Sequence, residues 1–415
     1  MGLLKTQSSY TLLIVCLYAN YFLIGIEQIA VAQYMDAFMA RLGTDVSNIA
    51  LIISGTALGR GIGGCFSGFL SDRFGRKAVI VSGTMGLCLS FIGLVTAPTQ
   101  FLIFMAVFCG GFSDALVDSG AFATFAEAFP RTSASKAVGS KIAISTGQIF
   151  FPVFVTWLIS VRASFNVSLG GIACLALGNL IFLASLKFPT FTPSKGFFKA
   201  NKSPVYSYEP LRQPKFVIDG LPLLVFAGFS YISFSIALIW MPLICRDVAQ
   251  ASLAQSLTTV SFFATGSVLF GFVSVYLMKH RVRPVMFMAI LPVITAIGAF
   301  VAWLWPTLTI CRVASFVIGA TAAGGVLQIG VSVLIDFFPT AKGRVAMAYM
   351  LTSSLTGAVT TFLLGQVVIN HLDMLMLINA VTALVNAFVG LIVVVRFYRT
   401  FTLPDIRWGE SFFRK

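Results

Sequence analysis

Gly68-Phe69-Leu70-Ser71-Asp72-Arg73-Phe74-Gly75-Arg76-Lys77 packs charge into a tight turn between two long apolar runs. Leu51 to Leu70 upstream and Ala78 to Val95 downstream are each about one bilayer long, because ~20 residues at ~1.5 Å rise cross a ~30 Å hydrocarbon core. The ten residues therefore read as a short loop at a membrane face. Gly68 is expected to permit close helix approach, Gly75 to take the turn, and Arg73, Arg76 and Lys77 to face water.

Composition agrees with this reading. Of 415 residues, 58% are hydrophobic and only 10% charged, where soluble domains carry about 25% charge. The apolar runs predict an all-α membrane protein with twelve spans: 10–34, 46–70, 77–97, 101–128, 137–160, 165–186, 217–244, 253–278, 284–305, 308–337, 345–368 and 374–396. A net charge of +14 would suit nucleic acid, but 23 of the 28 Lys and Arg precede span 1, sit in even-to-odd loops (Arg131, Lys136 and Lys141 around loop 4-5 among them) or follow span 12. By the positive-inside rule those loops and both termini are cytoplasmic, and no nucleic-acid partner is needed. The seven cysteines fall in or beside spans with no Cys-x-x-Cys pair, so they read as packing residues; no metal or cofactor is expected. One lysine and a long apolar run without a small-residue cleavage site open the chain, so span 1 is expected there rather than a removed signal. Met1 to Thr6 fits a myristoylation pattern, which would add little to a chain anchored twelve times.

Lys187 to Lys215 is the long polar segment, with five prolines and six basic residues. It divides the chain into a first half at 1–187, a linker at 188–216, a second half at 217–397 and a tail at 398–415. The halves echo one another: Phe125-Ala126-Glu127-Ala128-Phe129-Pro130 ends span 4, and Leu334-Ile335-Asp336-Phe337-Phe338-Pro339 ends span 10. Gly266 and Gly271 parallel Gly59 and Gly64, and Arg283 parallels Arg76, whereas Lys279 stands where the counterpart of Asp72 would be.

The opening stretch resembles the loop 2-3 signature of the major facilitator superfamily, Gly-x-Leu-x-Asp-Arg-x-Gly-Arg-Lys, with every fixed position met. The resemblance implies two pseudo-symmetric six-helix bundles around a cavity near the bilayer midplane, opened to either side by rocking one half against the other. A monomeric secondary transporter in the plasma membrane is the expectation. Gly68, Asp72, Arg73, Gly75, Arg76 and Lys77, with Glu127, Asp336 and Arg344, are then expected to form a cytoplasmic gate. Asp72 would lie by the amino end of span 11, and Arg73 or Arg76 would pair with Glu127, holding the outward-open state.

An ionisable group at mid-bilayer costs at least ~2.5–3.5 kcal/mol, so each one marks a functional site by default. Four qualify: Glu27 in span 1, Arg60 in span 2, and Asp114 and Asp118 in span 4. The i, i+4 spacing puts both aspartates on one helix face, where two close carboxylates resist ionising together, as proton coupling requires. Arg60 and Asp114 have comparable depth, so a pair between them is expected to leave Asp118 or Glu27 as the proton carrier. Such a pair would equally serve helix packing alone. His280 and His371 lie outside the spans, which excludes a histidine relay.

Asn20, Tyr21, Gln28, Gln148, Tyr231, Trp240, Gln328 and Tyr349 are the other expected solute-binding residues, amides and hydroxyls beside aromatic rings that suit a neutral, hydroxyl-bearing solute. Gly110 to Asp118 is similar to helix 4 of the fucose permease-like branch, which implies proton-coupled uptake of a sugar or similar metabolite, with Glu27 and Asp114 or Asp118 as coupling acids. Arg60 keeps open a carboxylate substrate, either an organic anion or an amino acid. Ser145 to Pro152 lacks the Gly-Pro-x-x-Gly-Gly signature of drug antiporters, which argues against a drug or metabolite efflux antiporter, kept as a further alternative. No nucleophile-base pair or metal cluster suggests an enzyme, a channel fits the two-half design poorly, and a non-transporting receptor remains as another class.

Overall fold

The computed structural model describes residues 10–129, 132–189, 209–280 and 283–402. Expectations for Met1 to Thr6, Arg131, Pro193, Pro204 and Arg281 fall outside those residues. Twelve helices are long and apolar enough to cross a membrane. They are α1 (Thr11–Gln33), α2 (Val46–Phe74), α3 (Arg76–Thr96), α4 (Gln100–Ala128), α5 (Ser133–Ser160) and α6 (Phe165–Ser185) in the first half. The second half holds α7 (Phe216–Asp247), α8 (Leu253–Met278), α9 (Pro284–Leu304), α10 (Leu308–Phe337), α11 (Lys342–His371) and α12 (Leu372–Thr400).

Local chemistry explains the ends. Asp45 caps α2 by accepting from the Asn48 amide at 3.0 Å. Gly75 at φ 85° turns the chain from α2 into α3, a conformation that a side chain would strain. A short helix, Met35–Leu42, fills the α1–α2 connection between the first two spans. α5 begins at Ser133, about one turn earlier than the apolar run suggests, because small polar residues extend the helix beyond the apolar stretch. The tail expected from 398 is helical to Thr400, and Phe401–Thr402 then pairs antiparallel with Glu209–Pro210 of the linker.

Backbone contact joins helices within each half. A Cβ on Gly59 would lie 2.0 Å from the Phe108 carbonyl of α4, and one on Gly266 would lie 2.1 Å from the Phe316 carbonyl of α10. The repeat noticed in the sequence is thus a repeated α2–α4 and α8–α10 crossing. A Cβ on Gly68, by contrast, would meet nothing within 4 Å, so the close approach assigned to that residue belongs two to three turns earlier, at Gly59.

Between the halves, α2 packs on α11 and α5 on α8. Ser261 donates to the Ile149 carbonyl at 2.9 Å and Thr156 to that of Ala254 at 3.4 Å. Arg246 of α7 pairs with Asp36 beyond α1. These contacts close the face away from Gly75. Toward the Gly75 face the halves part around a 420 Å³ opening lined by Phe122, Lys141, Phe272, Met278, Gln328 and Ser332, among others.

Candidate functional site

Four helices of the first half bring their polar groups together at mid-depth. The Arg60 guanidinium of α2 spans both aspartates of α4, with Nη2 3.2 Å from Asp118 Oδ2 and Nη1 3.6 Å from Asp114 Oδ2. A single partner, Asp114, was expected; the two-armed guanidinium and the i, i+4 spacing instead let one arginine serve both acids. Asp118, expected to be left spare, is the nearer of the two. Asp114 is 1% exposed and also accepts from Gln28 at 3.3 Å, while Gln148 of α5 donates to Gln28 at 3.1 Å. The result is a polar chain from α5 through α1 and α4 to α2.

Glu27 stands apart from this chain. It is buried, takes a long 3.4 Å hydrogen bond from Thr56, and its Oε2 has no hydrogen-bond partner among the described residues. It faces Gly110, where a Cβ would come within 2.3 Å of Glu27 Oε1, so the carboxylate fits only because α4 carries no side chain there.

Most of these groups border an inner cavity of about 150 Å³, whose lining does not include Glu27 or Asp118. Arg60, Asp114, Gln28 and Gln148 line it from the first half, and Tyr231, Gln328 and Tyr349 from the second. Its second-half wall includes Ser235, Leu238, Ile239 and Ala323, at or beside the π-helical stretches Ile236–Trp240 of α7 and Gly319–Val326 of α10. Such breaks are common beside functional sites, because they re-aim side chains without ending the helix. The 150 Å³ cavity and the larger opening share Lys141, Ser145, Ser267, Ala323 and Gln328, so the two are continuous.

Three expected solute residues do not line the cavity. Asn20 is consumed in a clasp inside the first half, donating to Thr84 at 2.7 Å and accepting from Asn179 at 2.7 Å. Tyr21 is fully buried, its ring 6.5 Å from that of Phe122. Trp240 is fully buried within the α7 π-helical stretch. In each case depth was legible in the sequence and the helix face was not. Conversely, Lys141 was counted among loop charges; the early start of α5 carries it more than two turns into the helix and onto the cavity wall. Extending the helical pattern back through Ser133-Ala134-Ser135 would have found it.

The loop at Gly75 makes the expected Arg76–Glu127 pair, but it differs from expectation in the burial of Arg76 and in the partner of Asp72. Arg76 is 2% exposed rather than in water, pairing with Asp72 at 2.8 Å and Glu127 at 3.0 Å and donating to Ser71 at 2.7 Å. Arg73 lies over the Phe69 and Phe74 rings, and Lys77 donates to the Leu186 carbonyl at 3.0 Å. All these partners belong to the first half, so this network clasps α2, α3 and α4. Asp72 is 54% exposed and, among the described residues, Arg76 is its ion-pair partner, not α11. The i, i+4 spacing turns the Asp72 carboxylate back onto Arg76 of its own half. Asp336 and Arg344 make no ion pair among the described residues; the second half uses Arg212, which reaches Asp219 at 2.6 Å and Thr400 at 3.0 Å. That pair went unforeseen because the two residues lie on either side of the expected span boundary.

The Major Facilitator Superfamily family model matches residues 12–361. The chain belongs to this superfamily. Among curated superfamily relatives, it is 31% identical to the inner membrane transport protein YdiN of Escherichia coli (strain K12), covering 98% of this chain and 96% of that one. It is 26% identical to the quinolone resistance protein NorA of Staphylococcus aureus (strain Mu50 / ATCC 700699), over 44% of this chain and 47% of that one. Among solved structures, a D-xylose-proton symporter superposes with a TM-score of 0.73 at 14% identity, covering 91% of this chain and 96% of that one. The superfamily fold accounts for the paired six-helix bundles and for a chamber between them. It makes the chain a multi-pass membrane transporter rather than an enzyme.

Proposed function

We propose that this transporter couples proton entry to uptake of a small polar metabolite, a sugar or a hydroxylated organic acid, by alternating access as a monomer. The Gly75 face and both termini then lie in the cytoplasm, as the distribution of basic residues favours. One observation carries the reading: three carboxylates and one guanidinium are gathered beside a chamber closed on one face and open on the other. Packing alone does not call for so many costly groups in a bilayer.

Asp114 and Asp118 share Arg60, so a proton on either one releases a guanidinium arm toward solute. Glu27, with no cation in hydrogen-bond range among the described residues, is the third acid that a proton can neutralise. The Arg76–Asp72–Glu127 clasp keeps α2, α3 and α4 together as a rigid unit, and the Arg246–Asp36 pair parts when the opposite face opens. Radiolabelled flux into proteoliposomes under an imposed pH gradient tests this reading. Accumulation should follow the inward proton gradient and vanish in Glu27→Gln while solute exchange persists; accumulation indifferent to the gradient would overturn the coupling. A 26% likeness over 40% of this chain to the multi-drug resistance efflux pump PmrA of Streptococcus pneumoniae serotype 4 (strain ATCC BAA-334 / TIGR4) favours export as a second reading, for which solute would move against the proton current.

A further inference from the structure

Building on that reading, we infer that the solute is a small hydroxylated carboxylate, seated between Arg60 of α2 and Lys141 of α5. Lys141 lines both the inner cavity and the wider opening and is exposed to that space. Among the described residues it makes no ion pair and no hydrogen bond, although Arg60 and Asp118 lie within electrostatic reach. A lysine with no hydrogen-bond or ion-pair partner among the described residues, aimed into a chamber between bundles, has no packing role that an uncharged residue would not fill better.

Counting charge narrows the solute. Among the described residues, the titratable and charged groups lining this space are Arg60, Asp114 and Lys141 from the first half and Tyr231 and Tyr349 from the second, with Asp118 beside them on Arg60 and Glu27 behind them on Thr56. With Glu27 and one of the two aspartates each carrying a proton, Arg60 and Lys141 face a single remaining carboxylate, and one positive charge is in excess. A carboxylate then restores neutrality, gaining Lys141 and the freed arm of Arg60, where the guanidinium fork matches carboxylate geometry. A cationic solute would meet two like charges. A neutral sugar would leave Lys141 uncompensated when rocking seals the chamber, which low dielectric penalises. Gln28, Gln148 and Gln328 supply amides for hydroxyls, and the Tyr231 ring covers an apolar face.

The test needs no knowledge of the natural solute. Ser145→Cys places a thiol on the wall shared by both cavities, in the full-length protein in proteoliposomes, with the parent chain correcting for native cysteines. Its rates with an anionic and a cationic methanethiosulfonate reagent are compared at neutral and acid pH. The anionic reagent should react faster, its advantage growing in acid, and Lys141→Gln should cut the anionic-to-cationic ratio about tenfold while Lys141→Arg preserves it. A ratio favouring the cation, or one unmoved by Lys141→Gln, would overturn the anion assignment and leave alternating access standing. A thiol inert to both reagents would instead remove the chamber, and the transport reading with it.

Discussion

Replacing Arg60 with glutamine strips the shared counter-charge from Asp114 and Asp118. At an effective dielectric constant of ~20, unit charges 3.6 Å apart attract by roughly 5 kcal/mol, the separation found between Arg60 and Asp114. Desolvation offsets part of this, and removing one partner of a buried pair costs ~3–5 kcal/mol. Arg60 is 33% and Asp118 28% exposed, so water recovers some of the loss. The expected cost is therefore about 3 kcal/mol, at the lower end of that range. A double-mutant cycle isolates the cause. Arg60→Gln alone should shorten the half-life of the purified protein in detergent at elevated temperature, whereas Arg60→Gln with Asp114→Asn should regain most of it, because the charge then left without its cation, Asp118, is partly exposed to water. Single and double variants of equal stability would refute the claim that an unpaired Asp114 is what costs. An Arg60→Gln variant as stable as the parent would refute the pair's energetic role altogether.

Other outcomes follow from separate features. Gly59→Ala should disrupt the α2–α4 crossing, since its Cβ meets a backbone carbonyl at 2.0 Å, and lower stability by about 1–3 kcal/mol or more. Gly68→Ala, in open space, should be neutral or stabilise by up to ~1 kcal/mol through helix propensity; thermal stability of the two variants, measured side by side, decides the point. Asp36→Asn should loosen the closed face, seen as faster labelling of a thiol at Gln33→Cys; because the pair is partly exposed, a change of a few-fold is expected. Hydrogen bonds from the Asn48 amide and the Ser47 hydroxyl hold the Asp45 carboxyl below its usual range. Its contribution to α2 is accordingly complete at neutral pH and fades only as acid protonates the group, so Asp45→Ala should destabilise at pH 7 by about 1 kcal/mol, with the difference from the parent shrinking in acid.

The twelve spans were legible in the sequence because a bilayer leaves little choice. Each crossing must be long enough, apolar enough and internally hydrogen-bonded. The Gly68–Lys77 loop was legible for a related reason, since charge at that density cannot sit inside hydrocarbon. Depth was legible too: at ~1.5 Å per residue, counting placed Glu27, Arg60, Asp114 and Asp118 near mid-membrane. What counting cannot supply is the direction in which each side chain points. The spans are apolar all round, as α1 and α2 show, and lipid tails are as apolar as a neighbouring helix. Only the packed bundles decided that Asn20 turns into a clasp with Asn179, that Arg60 bridges both aspartates, and that Lys141 reaches the chamber rather than the surface. The closed face was likewise a tertiary matter, because Asp36 and Arg246 are 210 residues apart and meet only when the two halves pack together.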